Sequence, residues 1–102
     1  MVRAKAVAAL ALALSCAGCF GDELLERAQD AVRYTVMDPD SVQFRGVRRC
    51  ASEPALVTGE FNAKNAYGAY VGFQPFYYDR GGVLTLNEAT AFGEATDRCF
   101  RS

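Results

Sequence analysis

The chain has 102 residues, with eleven Lys/Arg, twelve Asp/Glu and no His, for a formal net charge of -1. That length holds one small domain, and the balanced charge lacks the basic field that nucleic-acid binding needs. The missing His removes Ser-His, Cys-His and His-metal chemistry together.

The chain opens with a basic stretch, Met1 to Lys5, followed by an uncharged apolar run, Ala6 to Leu14. Nine helical residues rise only about 14 Å, half the hydrocarbon thickness of a bilayer. This order of segments predicts a signal peptide over 1–18 rather than a spanning helix. The exit, Ser15-Cys16-Ala17-Gly18-Cys19, resembles a bacterial lipobox, although Cys16 stands where an aliphatic residue is usual. That resemblance implies cleavage before Cys19, acylation of its sulfur and attachment to a lipid membrane. Two other cuts are compatible with the residues: lipidation at Cys16, or ordinary signal-peptidase cleavage after Ala17. Cysteine arithmetic favours Cys19, because Cys50 and Cys99 then remain as one disulfide pair and no thiol is left over. Phe20 follows Cys19, where resemblance to enteric lipoproteins implies release to the outer membrane, facing the periplasm. From Cys19 on, 84 residues remain as a single domain over 19–102, with nine bases, twelve acids and a net charge of -3.

Asp22 to Met37 has apolar residues at helical spacing: Leu24, Leu25, Ala28, Val32 and Val36. Asp22 is placed to cap this helix, and Pro39 to end it. Ser41 to Cys50 reads as a first strand, with Gly46 marking a bulge. Ala55 to Ala63 alternates as a strand with one wet side carrying Thr58, Glu60 and Asn62. Lys64 to Gly68 supplies a turn, and Ala69 to Tyr78 the next strand, with Val71 and Phe73 inward. Asp79 to Gly82 is a hairpin turn into Val83 to Leu86. Thr85 to Glu88 fits a capping box for a last helix reaching Cys99. The expected fold is α+β: an N-terminal helix, an antiparallel meander of three to four strands, and a C-terminal helix. Both helices are expected on one sheet face.

Two motifs stand out, Asp38-Pro-Asp-Ser-Val-Gln-Phe44 and Gly59-Glu-Phe-Asn-Ala-Lys-Asn-Ala-Tyr-Gly-Ala-Tyr-Val-Gly-Phe73. Together they resemble a family of small exported bacterial and phage-associated proteins of unassigned function. That family's pattern is D-P-x-S-x-x-F followed by G-x-x-N-A-K-N-x-x-G-x-Y-x-G-F. The resemblance brings no activity with it. Many members carry a Cys just before the motif glycine; Thr58 stands there in this chain, which leaves Cys50 to pair with Cys99.

Asn62, Lys64, Asn65, Tyr67 and Tyr70 gather amides, an amine and aromatic rings on one hairpin, a set suited to protein or glycan recognition. The same Asn and Gly residues also suit a tight hairpin with no ligand. Arg45, Arg48 and Arg49 form a basic strip on the first strand. Phe76-Tyr77-Tyr78 must put a ring on each sheet face. Glu60, Asp79 and Glu88 have no spacing that makes a carboxylate pair, and no residue pattern calls for a cofactor, a metal or a catalytic group. The expected function is that of a non-enzymatic envelope lipoprotein binding a protein or glycan through the 60–70 hairpin. The alternatives are a phage-derived exclusion or inhibitor lipoprotein and a small envelope hydrolase using Glu60.

Overall fold

The computed structural model describes residues 21–101, so the signal segment and Cys19 lie outside the described residues. Helix α1 spans Glu23–Arg33, followed by strands β1 (Gln43–Arg49), β2 (Val57–Asn62), β3 (Gln74–Asp79) and β4 (Gly82–Leu84), then helix α2 (Ala89–Cys99). The four strands form one antiparallel sheet in sequence order, giving the expected α+β meander between two helices. No helix among the described residues is long and apolar enough to cross a membrane.

The expected local signals act as the sequence suggests. Asp22 Oδ1 accepts from Leu24 N at 2.9 Å and caps α1. Thr85 and Glu88 form the capping box that leads through a short 3-10 turn into α2. Arg80 and Gly81 both take positive φ, 54° and 85°, in the two-residue turn between β3 and β4. That geometry matches the twist of the strands it joins. At Gly46, φ is +64° and the β1–β2 register shifts between Arg45 and Arg48, so the bulge is present.

Three features depart from the sequence expectation. First, α1 stops at Arg33 rather than Met37. Both Thr35 N and Thr35 Oγ1 donate to Val32 O, at 2.9 and 2.7 Å, taking the carbonyl that a continuing helix would offer to Val36. Second, β3 begins only at Gln74. Gly72 has φ +103° and gives its N–H to Asn62 Oδ1 at 2.9 Å, so residues 71–73 leave the ladder and Val71 is exposed.

Third, the helices take opposite faces. Phe76 and Tyr77 are neighbours on β3 and point to opposite sides. Phe76 is fully buried with Val57, Phe61, Ala28 and Val32 of α1. Tyr77 is buried with Cys50, Leu56, Ala95 and Cys99, its ring edge-to-face with Phe92 of α2 at 4.9 Å. The sheet is therefore the middle of three layers, and the face of β2 expected to be wet is largely covered: Thr58 and Asn62 are buried, and of the three only Glu60 stays partly exposed. Tyr78 joins the α1 side, which accounts for all three consecutive aromatics without an outside partner.

Register also separates two ends of the molecule. Gln43 pairs with Asn62 and Phe61 with Gln74, so the α1–β1 turn, the β2–β3 loop and the β4–α2 turn share one end. We call it the open end. The β1–β2 connection, the β3–β4 hairpin, the start of α1 and the finish of α2 share the other, the closed end.

Candidate functional site

The closed end is bound to itself. Cys50 and Cys99 form a disulfide across 49 residues of chain, both cysteines buried. The Ser52 hydroxyl lies 2.6 and 2.8 Å from the carbonyl oxygens of Arg98 and Cys99, closing the last turn of α2. Arg98 donates to Asp79 Oδ2 at 2.9 Å and pairs with the Glu53 carboxylate. These bonds hold both carboxyls below their ordinary range and push the guanidinium up. Arg49 joins Asp22 at 2.9 Å and Pro54 O at 2.8 Å, tying the start of α1 to the β1–β2 connection. A cleft of about 520 Å³ opens here, and its two carboxylates, Glu53 and Asp79, are both held by Arg98.

Glu60 is likewise engaged. Arg45 Nε donates to it at 2.9 Å, with the same guanidinium 4.0 Å above the Phe73 ring. Arg45 lowers the Glu60 carboxyl, the opposite of what a general acid at neutral pH requires. Of the basic strip, Arg45 and Arg49 are thus ion-paired, while Arg48 lies over Phe100, 5.8 Å from its centroid. Among the described residues, no group of His, Cys, Asp or Glu comes together that would hold a metal.

At the open end the five hairpin residues divide. Asn62 is buried, and its Oδ1 serves Gly72 N. Asn65 Oδ1 accepts from both Tyr67 N and Ala69 N, at 2.9 and 3.2 Å, and so shapes the turn. Lys64 N donates to Ser41 Oγ at 2.9 Å, its ammonium 5.5 Å from the Tyr70 ring centroid. Tyr70 Oη donates to Ser41 O at 2.9 Å. Tyr67 projects, 94 % exposed, while the Tyr70 ring, held by its hydroxyl, is 42 % exposed. Four of the five residues therefore build the loop and one is presented by it.

Ser41 is the joint between the two sequence motifs. Its hydroxyl donates to Asp38 O and accepts from Lys64 N, and its carbonyl takes the Tyr70 hydroxyl. The Asp38–Phe44 and Gly59–Phe73 segments are thus one structural unit. No local signal in the sequence shows that the two motifs touch across more than twenty residues.

Among the described residues, the large apolar and aromatic side chains left in solvent are unevenly placed. Tyr34, Met37, Tyr67, Tyr70, Val71 and Leu86 all lie at the open end, and Phe100 at the closed one. Tyr34 and Met37 follow the early stop of α1, and Val71 follows the late start of β3. Both departures from the expected elements feed this surface. Compared with protein-family models, curated proteins and solved structures, the chain matches none.

Proposed function

We propose that this chain is a non-enzymatic bacterial envelope lipoprotein that presents its open end to a protein partner. Acylated Cys19 anchors it in the outer membrane facing the periplasm. The observation that carries the reading is the concentration of exposed Tyr34, Met37, Tyr67 and Val71 at one end, with the Arg98 and Arg49 ion pairs and the disulfide at the other. Large apolar side chains exposed together at one end of a small domain are the raw material of an interaction site. Exposed Tyr and Met side chains are the residue types enriched in protein interfaces, and Tyr67, the most exposed of them, is taken as the leading contact.

The anchor fits the same orientation. Only Phe20 and Gly21 separate Cys19 from the cap of α1 at the closed end. A lipid there turns the open end away from the membrane. The oxidising periplasm suits the Cys50–Cys99 bond.

Two measurements test the proposal. Palmitate labelling is lost in Cys19→Ser and kept in Cys16→Ser; the reverse pattern moves the anchor and overturns the assignment. A photo-cross-linker at position 67 in intact envelopes captures a discrete protein, and Tyr34→Ala with Met37→Ala weakens that capture. Fractionation of the full chain into the cytosol with reduced thiols sinks the whole reading. If the captured protein is an envelope component blocked by the chain, the exclusion or inhibitor alternative becomes the specific role.

A further inference from the structure

A separate feature of the open end is a cleft of about 310 Å³ between the end of α1 and the β3–β4 pair. Its apolar wall is Val36, Phe61 and Val83, and its polar wall carries Gln74, Asn87 and Glu88. Neither the Gln74 nor the Asn87 side chain makes a hydrogen bond within the described residues. The Oδ1 atoms of Asn62 and Asn65, by contrast, are taken by backbone N–H groups of the loop. None of the cleft's lining residues belongs to the Tyr67 loop.

We propose that this cleft binds one neutral saccharide unit, its C–H face on Val36 and Val83 and its hydroxyls on Gln74 and Asn87. Each primary amide offers a donor and an acceptor side by side, which matches neighbouring sugar hydroxyls. No Lys or Arg lines the cleft, so an anionic ligand finds no counter-charge. Glu88 Oε2 is taken by Thr85 N and Thr85 Oγ1, whereas Oε1 accepts nothing within the described residues and is free for a ligand hydroxyl. Those two Thr85 bonds also hold the carboxyl below its ordinary range, keeping it an acceptor at neutral pH. The volume is at the lower limit for small-molecule sites, which sets the ligand at about one ring.

The test is a ¹⁵N–¹H NMR titration of the folded, disulfide-bonded protein with glucose, with N-acetylglucosamine and, as a control, with glycerol. Either sugar produces saturable shifts at Val36, Gln74, Val83 and Asn87, with a Kd of about 1–10 mM. Glycerol at equal concentration produces none that saturate. The double variant Gln74→Ala/Asn87→Ala keeps the thermal midpoint and weakens sugar binding by about tenfold or more. Tyr67→Ala leaves it unchanged, which separates this site from the partner surface. Absence of saturation with both sugars, equal shifts from glycerol, or undiminished binding by the double variant overturns the proposal.

Discussion

The closed and open ends of this molecule hold themselves together in opposite ways. At the closed end, Arg98, Glu53, Asp79, Arg49 and Asp22 all find charged partners, and a disulfide lies under them. At the open end, hydrogen bonds run mostly from side chains to backbone, and rings are left in solvent. One end fixes the layers together; the other spends its polar groups on shaping a surface. A small domain has little core to hold it, so concentrating the constraints at one end leaves the other free to carry contacts.

The sharpest way to break this contrast is to remove the covalent bond. Cys50→Ser/Cys99→Ser loses about 4 kcal/mol, from a closed loop of this length, as read from urea midpoints. Amides of α2 and the β1–β2 connection then lose exchange protection before those of the Asn65 turn. Uniform loss would mean that the two ends are not separate.

Next in size is Gly59→Ala. A Cβ at Gly59 falls 2.9 Å from Val47 Cα and 3.2 Å from the Phe76 ring, in the α1-facing layer common to both ends. The backbone of β1 must move, at a cost of about 2–3 kcal/mol by chemical denaturation.

Acid sharpens the comparison further. Glu53 and Asp79 are held low by Arg98, so their stabilisation is fully present above the unfolded pKa. It is lost as pH falls through the lower folded values, a window below about pH 4. Arg98→Gln lowers the neutral-pH midpoint and flattens the acid limb of the thermal-midpoint profile. An acid limb as steep as that of the parent would refute the pairing.

The smallest effects belong to the open end. Asn65→Ala removes two exposed acceptor bonds and costs about 1 kcal/mol, with faster exchange confined to 64–72. Tyr67→Ala changes stability by less than about 0.5 kcal/mol and abolishes partner capture. A large stability loss on Tyr67→Ala would show the ring to be structural.

The sequence by itself determined what short-range bonds decide. The Asp22 cap, the Thr85–Glu88 box, the Gly46 bulge, the Asp79–Gly82 turn and the Cys50–Cys99 pair each follow from a few neighbouring residues or from counting thiols. The alternation of β1 and β2 likewise gave an α+β meander. Only the tertiary structure decided that Tyr77 turns to α2 while Phe76 turns to α1, placing the helices on opposite faces. It also decided that Asn62, Asn65 and Tyr70 are consumed by the backbone, leaving Tyr67 to be presented. Periodicity says which residues share a face, not which helix covers it. That choice, like the Ser41–Tyr70 contact across 29 residues, depends on which distant segments the closed chain brings together.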